Sequence, residues 1–262
     1  MELGIGERNV LIVGAARGIG RAAARRLAGE TAKIVVADLD AEAAVATAAA
    51  IQAETGTPVL GAGVDLRQPD SVAALVAAAG EFMGPIDVLI NSAAVLDDKT
   101  FLDSSERDWQ RMIDVCLFGP MRVLHAVLPA MVERRYGRIV CLASDAARVG
   151  QARLSYYAAA KAGVIALVKS VAQEVGSSGV TLNVISPGAT NTELRQAREQ
   201  GLRAQMGDEK YAKREQTVLR MYPLRRIGDP DDIAGAISFL VSERASWVTG
   251  QVLSVNGGFV MP

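Results

Sequence analysis

In the run Ser155-Tyr-Tyr-Ala-Ala-Ala-Lys161, a phenol at Tyr157 and an ammonium at Lys161 stand four residues apart, so a helix carries both on one face. That pairing suits an acid–base catalyst. An unperturbed tyrosine titrates near pH 10, and a cation about 4 Å away at an effective dielectric of about 20 favours the phenolate by roughly 4 kcal/mol before screening. The spacing therefore predicts a phenol, acidified by Lys161, that exchanges protons near neutral pH. Pairs of this kind also decorate solvated helix surfaces, so the surroundings decide. Ser144 lies thirteen residues before Tyr157, at the end of the apolar run Arg138–Ala143, where a buried strand delivers a hydroxyl to its carboxyl-terminal tip. Tyr156 has no lysine four residues on and is the weaker candidate.

A second constellation addresses a nucleotide. Val13-Gly-Ala-Ala-Arg-Gly-Ile-Gly20 follows a strand pattern and opens a helical one, so Gly14, Gly18 and Gly20 let the chain turn tightly, and Arg17 and Ile19 border a helix terminus suited to a pyrophosphate. The spacing Gly-x-x-x-Gly-x-Gly is not the commoner dinucleotide fingerprint and gains its force from context. Asp38, at the end of the next apolar run and followed by Leu39, stands about twenty residues on, where a carboxylate binds both ribose hydroxyls. That position favours NAD over NADP, because a 2'-phosphate meets Asp38 head-on; Arg17 offsets part of the repulsion. A carboxylate capping the following helix is the plainer alternative for Asp38. Asp65-Leu66 and Asn91-Ser-Ala-Ala94 follow two further strands and either form turns or line the same crevice.

The elements that must position these groups alternate along the chain. Apolar β-branched runs at 10–13, 33–37, 58–64, 86–90, 138–142, 180–185 and 252–255 are separated by helical patterns at 18–29, 41–54, 71–82, 105–134, 155–175 and 231–241. This order predicts the α/β class: a single Rossmann-type domain over 1–262, a doubly wound parallel sheet flanked by helices. Residues 190–222 carry seven basic side chains among acids and no strand signal, and are expected to form an inserted substrate lid or a solvated charged helix pair.

Composition narrows the function classes. A formal net charge of -1 gives no general attraction to nucleic acid. With only His125, and with Cys116 and Cys141 in apolar contexts without ligand spacing, no metal site is expected, and the thiols suit a reducing compartment. No membrane segment and no basic, then apolar, leader is visible, so a cytoplasmic protein is expected.

With these motifs in hand, the chain resembles the short-chain dehydrogenase/reductase family from the first strand to Gly258. The resemblance implies an NAD(P)-dependent oxidoreductase acting on a small alcohol or ketone, with NAD as cofactor, and a homo-oligomer, tetramer or dimer, paired through the long helices 105–134 and 155–175. It implies Gly14, Gly18 and Gly20 around the phosphates, Asp38 on the adenosine ribose, Asp65 at the adenine, and Asn91 with Ala93 beside the cofactor's middle. Pro187, Gly188, Thr190 and Thr192, in Ser186-Pro-Gly-Ala-Thr-Asn-Thr192, resemble the turn that holds the nicotinamide. Ser144 then bonds the substrate oxygen, Tyr157 exchanges its proton, and Lys161 holds the nicotinamide ribose.

Three departures from the family pattern stand out: Val13 for threonine, Asn91-Ser-Ala-Ala94 for Asn-Asn-Ala-Gly, and Cys116 where an asparagine commonly orders a proton-relay water. Met131–Gly150, Asp231–Ile237 and Thr249–Val255 are similar to the 2-hydroxycyclohexanecarboxyl-CoA dehydrogenase-like members, which implies a cyclic or acyl-linked secondary alcohol; Arg195, Arg198 and Arg203 are then candidates for an acyl-CoA phosphate or a free carboxylate. Two alternatives stand beside this: a 3-oxoacyl thioester reductase using NADPH, and a non-catalytic nucleotide sensor.

Overall fold

The computed structural model describes residues 3–261. Seven parallel strands form its sheet: β1 (Asn9–Val13), β2 (Lys33–Asp38), β3 (Val59–Gly63), β4 (Val88–Asn91), β5 (Gly137–Leu142), β6 (Val180–Pro187) and β7 (Val252–Val255). Their order is β3-β2-β1-β4-β5-β6-β7. The sequence runs back on itself between β1 and β4, which pair in register from Val10↔Val88 to Val13↔Asn91. At such a reversal the following connections leave toward opposite faces, and a crevice opens beyond the carboxyl ends of the strands.

Helices cover both faces, so the central strands read as unbroken apolar runs rather than alternating ones. All five residues of β1 are buried. Val10 and Ile12 pack in one core cluster, beneath α1 (Gly18–Leu27), α2 (Ala41–Thr55) and α10 (Pro230–Val241). Leu11 and Val13 pack in the other, beneath α3 (Pro69–Met83), α5 (Gly119–Glu133) and α7 (Ser155–Val175). The expected α/β architecture is therefore the observed one, with strand limits shifted by a few residues.

Local chemistry explains the helix starts. Asp40 caps α2 by accepting from Ala43 N at 3.1 Å, and Gly56 closes it at φ 75°. The capping alternative for Asp38 thus falls to its neighbour two residues on. Ser105 and Asp108 form a capping box at α4 (Glu106–Ile113).

The helix expected over 105–134 is broken in register. Between α4 and α5, Asp114–Phe118 form a π-helical turn, which ends where Gly119 and Pro120 begin the next α-helix. A one-residue widening of this sort redirects side chains, and it places Cys116 in a small buried cluster with Met112, Tyr156 and Ala160. The stretch Glu106–Glu133 is long and apolar enough to cross a bilayer by composition, yet Val123, Leu124, Val127 and Met131 are buried against the sheet. The sequence reading missed a one-turn helix, α6 (Ala146–Val149), directly after Ser144.

Residues 190–222 form the charged helix pair α8 (Glu193–Met206) and α9 (Asp208–Met221), jointed at Gly207 with φ 78°. Only Glu199 of α8 and no residue of α9 is buried.

One close approach sets the geometry of the first turn. A Cβ at Gly20 lies 2.2 Å from the Gly14 carbonyl oxygen, so α1 can sit on the β1 loop only with glycine there. Gly20→Ala gains helix propensity of about 1 kcal/mol but must displace backbone, at a cost of about 1–3 kcal/mol. Denaturant unfolding is expected to show net destabilisation and, in parallel, weaker nucleotide binding; an unchanged midpoint contradicts the close-packing account.

Candidate active site

The carboxyl ends of the strands open into one cavity of about 690 Å³. Of the residues singled out from the sequence, Gly14, Arg17, Gly18, Ile19, Asp38, Leu39, Asp65, Leu66, Ala93, Ser144, Tyr157, Lys161, Pro187, Gly188, Thr190 and Thr192 line it. Two do not. Gly20 lies behind the turn, and Asn91 is buried, donating from Nδ2 to Cys141 Sγ at 3.6 Å while its Oδ1 has no hydrogen-bond partner among the described residues.

At one end, α1 begins at Arg17 without a side-chain cap, and Gly14 and Gly18 hold φ of 77° and 57°. These positive φ values suit glycine, and the positive end of the helix fits a phosphate group, although the Glu193 carboxylate already accepts from Gly18 N at 3.0 Å. Asp38 accepts from Ala16 N at 3.1 Å and from Asp40 N at 3.3 Å, which fixes its carboxylate at the β2 tip. Arg17 is paired with Asp40 at 2.7 Å, and Arg67 clasps Asp65 at 2.9 and 2.7 Å. The Arg67 hydrogen bond, despite partial burial, holds the Asp65 carboxyl below its usual range. This end therefore presents carboxylates whose basic neighbours are already engaged, which suits ribose hydroxyls and opposes a further phosphate.

At the other end, β5 carries the chain to Ser144, and α7 brings Tyr157 and Lys161 alongside. Lys161 is 2% exposed and donates from Nζ to the Leu142 carbonyl at 2.7 Å. Burial lowers its pKa, with the nearby cysteines pulling the other way. The expected acidification of Tyr157 is not what this geometry produces. Burial raises the phenol above its ordinary value, Cys116 adds to the rise, and the Ser144 hydroxyl offsets part of it. Removing the phenolate from water costs more than a lysine turned toward a backbone carbonyl returns. Tyr156 is buried outside the cavity lining, its hydroxyl 3.4 Å from Asp97, and is pushed up to about 12, chiefly by burial.

Several contributors escaped the sequence reading, and one more, Asp145, is read from the sequence only as a structural or entrance group beside Ser144. Glu193 accepts from Gly18 N at 3.0 Å and pairs with Arg21 at 2.6 Å, joining α8 to the start of α1. Asp145, 2% exposed, accepts from Ser186 at 2.8 Å and from Asn256 at 2.6 Å, and so ties the Ser144 loop to β6 and to the segment after β7. Tyr222 and Phe259 stack at 5.0 Å and line the cavity. Their partners lie far away in sequence, and no local pattern marks them.

A family model described as enoyl-(acyl carrier protein) reductase matches residues 14–260. The chain is 36% identical to the 3-oxoacyl-(acyl-carrier-protein) reductase FabG of Vibrio cholerae over 251 residues, 96% of each chain. It is 38% identical to the (2S)-((R)-hydroxy(phenyl)methyl)succinyl-CoA dehydrogenase subunit BbsD of Thauera aromatica over 256 residues, 98% of each. The crystal structure of levodione reductase superposes with a TM-score of 0.90 at 32% identity, covering 97% of this chain and 98% of that one.

The chain belongs to the short-chain dehydrogenase/reductase family. It is an NAD(P)-dependent oxidoreductase acting on alcohol and keto groups. Among the family departures, the structure bears most directly on Cys116. Its Sγ lies 3.6 Å from the Val95 carbonyl and 3.7 Å from Met112 Sδ, and the residue is fully buried. A thiol is a weak partner for both carbonyl and water. Cys116→Asn is expected to retain or raise turnover, because the carboxamide reaches the same carbonyl with a stronger donor. Steady-state rates on the folded variant check this, and a large loss of turnover with the fold intact contradicts it.

Proposed function

We propose that this dehydrogenase/reductase interconverts a secondary alcohol and its ketone with NAD, on a cyclic or acyl-linked substrate. The observation that carries this reading is the convergence of Ser144, Tyr157 and Lys161 on one cavity whose far end presents the carboxylate of Asp38. The α1 terminus with Gly14 and Gly18 would hold the diphosphate, Asp38 the adenosine ribose, Lys161 the nicotinamide ribose, and Pro187 to Thr192 the carboxamide turn. A nicotinamide bound there supplies the hydride acceptor for oxidation and the donor for reduction.

In the oxidative direction, Tyr157 takes the hydroxyl proton while Ser144 steadies the charge that develops on the oxygen; reduction returns the proton from Tyr157. Leu154, Val218, Met221, Tyr222 and Phe259 line the same cavity and form an apolar wall for the body of the substrate. The likeness to the CoA-thioester dehydrogenase of Thauera aromatica and to levodione reductase supports acyl-linked and cyclic alcohols respectively. The likeness to FabG supports a second reading, reduction of a 3-oxoacyl thioester with NADPH.

The same proposal has the protein work in the cytoplasm as a homotetramer or dimer, with 190–222 as the substrate lid of a single domain. Trp247, 99% exposed, together with the exposed Phe239 of α10 and Leu253 of β7, offers apolar surface for self-association.

Tyr157→Phe is expected to lower turnover by at least about 100-fold with nucleotide affinity kept; near-normal rates mean that another acid carries the proton. Oxidation needs the phenolate, whose pKa burial raises, so oxidation should climb with pH through the alkaline range while reduction stays level until the phenol itself titrates. A pH-independent oxidation rate counts against Tyr157 as the base. Titration with both nucleotides separates the two substrate readings: a higher kcat/KM with NADH fits Asp38, and a strong preference for NADPH moves the case to the biosynthetic reductase.

A further inference from the structure

Where the substrate side of the cavity meets the loop holding Asp98, guanidinium groups outnumber their carboxylate partners; Arg195, Arg198 and Arg214 line the cavity, while Arg153 and Asp98 lie outside its lining. Asp98 is shared by Arg153 and by Arg198, the latter at 2.9 Å. Glu199, on α8, is shared by Arg214 at 2.6 Å and Arg195 at 3.8 Å, and also accepts from Tyr211 at 3.0 Å. Four guanidinium groups thus share two carboxylates. The neighbouring acids do not fully correct the balance: Asp97 is matched by Arg111 at 3.4 Å and Glu193 by Arg21 at 2.6 Å, while a further carboxylate on the cavity wall, Asp145, is engaged by Ser186 and Asn256 and leaves the guanidinium groups in excess.

Within this excess the four arginines are not equivalent. Arg153, Arg198 and Arg214 each donate a hydrogen bond to their carboxylate. Among the described residues the Arg195 guanidinium makes none, and at 3.8 Å its contact with Glu199 is an ion pair without a hydrogen bond. Its side chain is 19% exposed and lines the cavity, in the first turn of α8 and three residues beyond Thr192. A partly desolvated guanidinium with a free donor fork is matched by a planar oxyanion, and the positive end of α8 adds to the attraction. Arg203, the third arginine singled out from the sequence, is exposed and paired with Asp208 at 2.7 Å, outside the cavity lining.

We propose that Arg195 reads a carboxylate on the body of the substrate, so that the physiological alcohol or ketone is an anionic acid. The proposal rests on the alcohol–ketone reading above. The same oxyanion chemistry is offered by the phosphates of an acyl carrier such as coenzyme A. Arg195 stands on a cavity wall that also carries the apolar residues Leu194 and Met221, which favours the substrate's own carboxylate over a group at the end of a long carrier.

The test uses the full chain with NADH, 4-oxocyclohexanecarboxylate, its carboxamide, and free coenzyme A as competitor. The wild-type protein is expected to favour the acid over the amide in kcat/KM. In Arg195→Gln that ratio falls about tenfold or more through KM, and Arg195→Lys recovers part of it. Thermal unfolding of each variant separates this from loss of the Glu199 contact, which lowers stability without altering the ratio. Calorimetric binding of the acid and amide to the protein–NADH complex supplies a readout independent of turnover. Arg195-dependent preference for the acid in binding without any turnover supports the carboxylate site and removes the alcohol–ketone reading. Turnover of both ketones with a ratio indifferent to Arg195 overturns the carboxylate site and leaves that reading in place. Competition by coenzyme A that is lost in Arg195→Gln, with acid and amide used alike, also overturns it and assigns Arg195 to a carrier phosphate.

Discussion

A single buried bond, from Lys161 Nζ to the Leu142 carbonyl at 2.7 Å, ties helix α7 to the tip of strand β5. Ser144 lies two residues beyond that carbonyl, and Tyr157 lies one helical turn before that lysine. The bond therefore sets both groups relative to one another through short, stiff lengths of chain. It is made in a place where an unpartnered ammonium is unfavourable, so the lysine's burial and its lowered pKa are two expressions of the same constraint. The consequence for Tyr157 is indirect. The lysine positions the helix that carries the phenol, while burial keeps the phenol protonated in the chain alone.

The cavity that results has two electrostatic characters. At the β2 tip, Asp38 and Asp40 stand close together and the nearby Arg17 is engaged by Asp40. Beyond Ser144, arginines outnumber carboxylates where the loop holding Asp98 meets α8. The β2 tip thus suits neutral hydroxyl groups, and the excess of guanidinium groups beyond Ser144 suits an anion. The two ends are joined by Glu193, whose carboxylate reaches both Gly18 N and Arg21. Burial works against that carboxylate's charge, but its backbone hydrogen bonds and Arg21 overcome it and hold its pKa below the ordinary value.

The floor of the site is braced from a distance. Asp145 accepts from Ser186 and Asn256, and burial raises its pKa against those hydrogen bonds. Its backbone N–H bonds the Pro187 carbonyl at 3.1 Å, so the residue next to Ser144 also secures the turn that begins at Gly188. The reading of Asp145 as a structural group agrees with these contacts. The segment after β7 completes the brace: Phe259 stacks on Tyr222, whose hydroxyl accepts from Ala189 N at 3.0 Å.

Periodicity and spacing determined much of this protein. The alternation of apolar runs with helical patterns is enough for a parallel sheet, because strands covered on both faces must be apolar throughout. Glycines before α1, a carboxylate at the end of β2, and Ser144, Tyr157 and Lys161 each sit where a strand or helix terminus delivers them to one edge. What sequence could not decide depends on contacts between distant residues. Local pattern marks neither the π turn around Cys116, nor Glu193 reaching a residue 175 positions away, nor the sharing of Glu199 between Arg195 and Arg214. The direction of the Tyr157 shift is the plainest case: spacing places a cation near the phenol, but desolvation depends on everything packed around it, and only the tertiary structure sets which of the two prevails.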